Sequence, residues 1–197
     1  MTPSFGNTLK EASEFYNAQG NVYDTLRRLA ARLDAEKIPY AIIGGMALAA
    51  HGFVRMTQDI DILMTADGLA LFRARCIGKG YLPAFADAQK TFRDTATSVR
   101  IEILTTGEFP GDGKPKPVAF PDPASAAIEH ENLRVITLEK LIELKLASGM
   151  SAPHRLRDLA DVQDLIVALK LPEDFAERLD LSVRSKFVEL WRAASLA

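Results

Sequence analysis

The chain has 197 residues, 24 basic against 26 acidic side chains for a net charge of −2, and a single cysteine. That length can bury a core of its own, and the near-neutral balance excludes a global pull towards nucleic acid or an anionic membrane, so such contacts need a local patch. Cys76 alone excludes an intramolecular disulfide, and without a signal-like start or an apolar run of roughly 18 residues we expect a cytoplasmic protein with no membrane partner.

In chain order, Asn7 to Asn17 is weakly helical in pattern. Val22 to Glu36 is strongly so, with Val22, Leu26, Leu29, Ala30 and Leu33 on one face. Lys37-Ile38-Pro39 ends that helix and leads into an apolar strand, Tyr40 to Ile43, which stops at Gly44-Gly45. The following MALAAHG has the composition of a short helix, and Asp59 to Leu63 reads as a second strand. Thr65-Ala66-Asp67 starts a helix that Gly78-Lys79-Gly80 stops, with Cys76 a small core residue inside it. Thr91 to Thr95 and Ser98 to Leu104 read as strands; on the second, Val99, Ile101 and Ile103 face one way and Arg100, Glu102 and Leu104 the other.

Thr106 to Ala124 is rich in proline and glycine and reads as a loop. A hairpin follows, Ala126 to Glu129 and Leu133 to Ile136, closed by Glu131-Asn132. From Thr137 the chain is helical: one helix ending at Gly149, one from Pro153 through Lys170 with Leu156 in its apolar stripe, one opened by Pro172, and one capped by Ser182. We therefore expect an α/β core over 1–136 and a helical region over 137–197 packed on it as a single compact unit.

The chemistry gathers in the run Ile42 to Leu63. Strand, glycine pair and helix start form a turn in which backbone can approach a ligand closely and free amides can meet phosphate. In Asp59-Ile60-Asp61-Ile62-Leu63 both carboxylates point to one face of the strand while the isoleucines enter the core. Carboxylates so close repel unless a cation sits between them, and Mg²⁺ is the usual hard partner for oxygen ligands. A solvated strand face is the bland alternative.

The glycine pair followed by Arg55, Thr57, Asp59 and Asp61, as RxTxDxD, resembles the signature of the nucleotidyltransferase fold, the superfamily of DNA polymerase beta. Within it, Lys145 in ELKLAS and the later Arg157-Asp158-Leu159-Ala160-Asp161-Val162 are similar to the lysine and KDxxDL helix of the abortive-infection and toxin nucleotidyltransferases. The resemblance implies an α/β (α+β) fold with a small mixed twisted sheet flanked by helices and a helical C-terminal half. It further implies Mg²⁺ (or Mn²⁺) on Asp59 and Asp61 with Glu102 as third acid, where the family more often has aspartate. Gly44 and Gly45 would cradle the triphosphate of a nucleoside triphosphate (NTP), with Arg55 and Thr57 nearby, Lys145 reaching the phosphates and Asp158 facing the cleft.

The activity implied is transfer of NMP from an NTP to an acceptor hydroxyl. RNA or tRNA is the acceptor, and an antitoxin protein the partner, that the toxin branch suggests. Two alternatives stay open: transfer to a small molecule or protein, and a non-catalytic member of the fold that binds a nucleotide or partner. Lys145 as an exposed helix lysine and Arg157 with Asp161 as a surface pair are the bland readings of that second patch. His51, His130 and His154 lack metal-ligand spacing, and no GxxxxGK[ST] or GxGxxG is present.

Overall fold

The structure, a computed structural model, describes residues 21–196. The expected helix at Asn7 to Asn17 lies outside them. Helix α1 occupies 21–35, and the face named from the sequence, Val22 to Leu33, is buried. Lys37 closes it with a left-handed backbone (φ 57°).

A seven-stranded mixed sheet follows, with spatial order β3-β4-β5-β2-β1-β7-β6. Its strands are β1 (Ala41–Ile43), β2 (Asp59–Met64), β3 (Tyr81–Pro83), β4 (Thr91–Asp94), β5 (Arg100–Thr105), β6 (Ala127–His130) and β7 (Leu133–Ile136). At its centre β2 runs antiparallel to β1 and parallel to β5. Three short helices join strands: α2 (Gly44–Ala50), α3 (Ala66–Cys76) and the single turn α4 (Pro123–Ala126). Thr65 caps α3 by accepting from the Gly68 amide at 3.0 Å, and Cys76 is buried in the core.

Strand β3 is absent from the sequence reading because three residues are too few to show alternation. Its Pro83 is tolerated at the edge of the sheet. Strand β5 starts at Arg100 instead of Ser98, whose backbone is left-handed (φ 60°) within a turn built on Asp94. One Asp94 oxygen accepts from the amides of Ala96 (3.0 Å) and Thr97 (2.9 Å) and from the Thr97 hydroxyl (2.9 Å). The hairpin β6–β7 forms as expected, with Glu131 and Asn132 both at positive φ (49° and 64°), the twist that suits a two-residue turn.

The C-terminal helices differ in detail from the pattern. Helix α5 (Leu138–Ser151) runs through Gly149. That glycine is a packing residue: a Cβ there would lie 2.6 Å from Leu159 Cγ on the next helix. Pro153–Arg155 forms a 3-10 turn before α6 (Leu156–Leu169), and Leu156 is 65% exposed, outside the apolar stripe. Pro172 leads into a 3-10 segment, Glu173–Arg178. The cap of α7 (Leu181–Ala194) is Asp180, which accepts from the Ser182 amide at 2.9 Å, in place of Ser182 itself. One hydrophobic cluster runs from α1 through the sheet to Leu165, Ile166 and Phe187 of the helical half.

The proline-rich loop is folded and tied at its base. The Gly107 amide donates to Phe120 (2.9 Å), the Phe120 amide to Glu108 (2.8 Å), and Lys116 Nζ to the Pro110 carbonyl (2.6 Å). Gly111 presses this loop on α5: its φ is +77°, and a Cβ would stand 2.7 Å from the Ser148 carbonyl oxygen.

Candidate active site

Strand geometry sets the carboxylates. Asp59 pairs in register with Arg100, and Asp61 with Glu102, so four charged side chains share one face of β2 and β5. On the other face Ile60, Ile62, Ile101 and Ile103 are buried and anchor both strands in the core. Across the other edge of β2, Asp61 is opposite Ile43, the residue before the glycine pair.

Each glycine answers to a particular neighbour. Gly44 has φ +63°, and a Cβ there would stand 1.8 Å from Asp61 Oδ2. A Cβ on Gly45 would stand 2.8 Å from that of Thr57, whose hydroxyl in turn donates to the Asp59 carbonyl at 3.1 Å. The turn and the acid strand are therefore one packed unit. Ile43, at the N-cap of α2, contributes no side-chain hydrogen bond, and no acid occupies the first turn. Burial, then the charges of Glu102 and Asp59, push the Asp61 carboxyl up to about 6; Lys145 and Arg55 oppose this without cancelling it.

The opposite wall comes from α5 and α6. Lys145 is buried, which removes the reading of an exposed helix lysine. Its Nζ stands 3.0 Å from Asp158 Oδ1 and 2.6 Å from Asp161 Oδ2. Ser148 donates to the other Asp158 oxygen at 2.7 Å. Arg55 reaches Asp161 from the loop before β2: Nη2 donates to Oδ2 at 3.1 Å, while Nε lies 2.8 Å from Oδ1 without the geometry of a hydrogen bond. Asp161 thus pairs with Arg55 and Lys145; the surface pair with Arg157 does not form. Arg157 and His154 are exposed outside this wall.

Between the walls lies a cavity of about 180 Å³, lined by Gly44, Arg55, Asp61, Glu102, Lys145 and Asp158. Pro110, Gly111 and Phe120 of the folded loop close it, with Ser148 and Arg155 also at its surface. Asp59 lines a neighbouring groove instead, and Gly45 and Thr57 stand behind the cavity wall. Sequence reasoning missed the central place of Asp161 and the roles of Ser148 and Arg155. The spacing Asp158-x-x-Asp161 put both aspartates on one helix face, but their shared partner, Lys145, lies on another helix.

Carboxylate oxygens under mutual repulsion are the donor chemistry a hard divalent cation takes. Asp59 and Asp61 meet that requirement, with no ion pair to Asp59 within 4.0 Å among the described residues. Glu102 is turned to Arg100, whose Nη2 donates to it at 3.1 Å. Among the described residues, no three His, Cys, Asp or Glu side chains are gathered as a metal-holding group. The donor types fit, and Glu102, with one oxygen on Arg100, lines the same cavity as Asp61.

No protein-family model matches the chain, and no curated protein matches it by sequence. Among solved structures it is similar to the crystal structure of ANT(2'')-Ia in complex with adenylyl-2''-tobramycin, at 16% identity and a TM-score of 0.54, covering 83% of this chain and 95% of that one. It is also similar to the solution structure of the antibiotic-resistance factor ANT(2'')-Ia (14% identity, TM-score 0.53, 91% and 94% covered). A third likeness is to an antigenic nucleotidyltransferase-like protein from Paracoccidioides brasiliensis (18% identity, TM-score 0.50, 74% and 75% covered). At these identities the likeness is one of fold: a mixed sheet with flanking helices, as in nucleotidyltransferases. Among the described residues, no helix is long and apolar enough to cross a membrane.

Proposed function

We propose that this protein is a metal-dependent nucleotidyltransferase that moves NMP from an NTP to an acceptor hydroxyl. One observation carries the reading: Asp61, with Glu102 in register and Gly44 packed against it, faces Lys145 and Asp158 across a cavity. Asp59 and Asp61 would hold Mg²⁺ (or Mn²⁺), with Glu102 joining them. A cation bound there supplies a Lewis acid for phosphate and lowers the pKa of a bound hydroxyl.

The chain's own groups divide the remaining work. The backbone at Gly44 would meet phosphate oxygens in the cavity, with Arg55 also on its lining and Gly45 supporting the turn from behind. Lys145, held between Asp158 and Asp161, is a positioned point charge for the leaving phosphates. Asp158 accepts from Lys145 and from the Ser148 hydroxyl and so fixes the Lys145 ammonium, while the proton of the attacking hydroxyl passes to solvent. Asp61 would hold the cation only when deprotonated, so binding of Mg²⁺ to the metal-free protein strengthens as pH rises through about 6.

The resemblance to the abortive-infection and toxin branch supports RNA or tRNA as acceptor, a cytoplasmic toxin role and an antitoxin partner. The neighbour solved with adenylyl-2''-tobramycin supports a small-molecule hydroxyl instead. Incubation with Mg²⁺, labelled NTPs and total RNA labels RNA under the first reading; an Asp61→Ala variant that labels equally well refutes the metal assignment. Expression arrests growth, and Asp59→Ala relieves the arrest. Healthy growth at high expression counts against the toxin role.

A second reading has its own observation. Glu102 is held by Arg100, as expected of a non-catalytic member that binds nucleotide without turning it over. Mg²⁺-dependent nucleotide binding with no transfer to any acceptor selects it.

A further inference from the structure

The carboxylate face has a basic side that the reading above leaves unused. Arg100 on β5 stands in register with Asp59 on one side and with Arg93 of β4 on the other. Register partners point to one face with Cβ atoms about 5 Å apart, so two guanidinium-bearing side chains stand side by side next to Asp59. Like charges so placed repel. Among the described residues, Arg100 has one carboxylate partner, Glu102, its buried Nε makes no hydrogen bond, and exposed Arg93 bonds only to the Ser98 carbonyl, at 3.2 Å.

The support beneath this pair is rigid. Asp94, next to Arg93, gathers the β4–β5 turn and accepts from Arg28 of α1 at 3.3 Å, while Thr97 and Thr25 share a 2.7 Å hydrogen bond. Asp59, Arg93, Arg100, Gln58 and Ser98 line one groove.

The Asp61 cavity takes in Gly44 and the Glu102–Leu104 part of β5, and the arginine pair lies at the Arg100 end of β5 beside β4. Asp59 lines the arginine groove and stands two residues from Asp61 on β2, so a group held by the arginines lies next to the proposed cation ligands. Phosphate is the group whose oxygens two guanidinium forks grip together. We infer that Arg93 and Arg100 form the acceptor's phosphate subsite, so that the acceptor is a sugar phosphate, either free or within a polynucleotide. This rests on the nucleotidyltransferase reading and adds the acceptor class to it.

The test is calorimetric titration of protein loaded with Mg²⁺ and an α,β-methylene NTP analogue. Ribose 5-phosphate binds at least about tenfold more tightly than ribose, and Arg93→Gln or Arg100→Gln each removes about tenfold, the range for a hydrogen bond to a charged group. Arg93→Lys, which keeps the charge but loses the planar fork, restores only part of the affinity lost in Arg93→Gln. A short oligoribonucleotide separates the sources: much tighter arginine-dependent binding than ribose 5-phosphate identifies a polynucleotide acceptor, and equal binding a free sugar phosphate. Equal affinity for ribose, Gln variants that bind like the parent, or mutual exclusion between ribose 5-phosphate and the nucleotide overturns the inference. Failure to load Mg²⁺ and nucleotide at all overturns the parent reading as well, whereas a loaded protein that ignores phosphate overturns this inference alone.

Discussion

Replacing Asp61 by Asn, which keeps shape and removes charge, tests whether the carboxylates crowd one another. Burial and the charges of Glu102 and Asp59 raise Asp61 from 3.8 to about 6 in the folded chain. Because the folded pKa lies above the unfolded one, the native state holds its proton more tightly, and stability falls as pH rises from about 4 to 6. At about 1.4 kcal/mol per tenfold change in proton affinity, the full penalty is on the order of 3 kcal/mol. Screening by solvent at the cavity mouth lowers this to about 1–2 kcal/mol. For a chain of this size that is a rise in Tm of roughly 2–8 °C for Asp61→Asn at pH 8 without divalent ions. Differential scanning fluorimetry from pH 4 to 8 measures it. The advantage disappears near pH 4, and added Mg²⁺ stabilises the parent but not the variant. An Asp61→Asn protein that melts at or below the parent at pH 8 without metal refutes the crowding argument.

Lys145→Met leaves the buried Asp161 with Arg55 alone, and denaturant titration should show a loss of about 2–4 kcal/mol. Adding Asp161→Asn recovers part of it, and strict additivity of the two changes excludes the coupling. Gly44→Ala places a methyl group into Asp61 at positive φ, costing about 2–4 kcal/mol by chemical denaturation and abolishing the thermal response to Mg²⁺; a parent-like melt and response contradict the close packing. Gly149→Ala improves helix propensity by about 1 kcal/mol but overlaps Leu159, so a net loss of about 1–2 kcal/mol is expected. In a Leu159→Ala background the same change becomes stabilising, and stabilisation in the parent background would show that Gly149 is not a packing residue.

Local sequence determined much of this molecule. Alternation placed Ile60, Ile62, Ile101 and Ile103 in the core and Asp59, Asp61, Arg100 and Glu102 on the opposite face, because a strand repeats every two residues whatever surrounds it. The helix at 21–35 and the Glu131-Asn132 hairpin were legible for the same reason, since their signals span a few neighbouring residues. Gly44-Gly45 read correctly as a turn, though not for its contacts with Asp61 and Thr57. Tertiary packing alone decided the rest. Gly149 looked like a helix end and is a helix contact, because Leu159 lies ten residues away in sequence and touches it across a turn. The bland reading paired Asp161 with Arg157 at the surface, yet buried Lys145 and half-buried Arg55 hold it in a desolvated setting, where pairing is stronger than at the surface. Glu102 is the clearest case: its residue type and strand position made it a metal-ligand candidate, while its pairing with Arg100 depends on rotamers that no pattern of residues specifies.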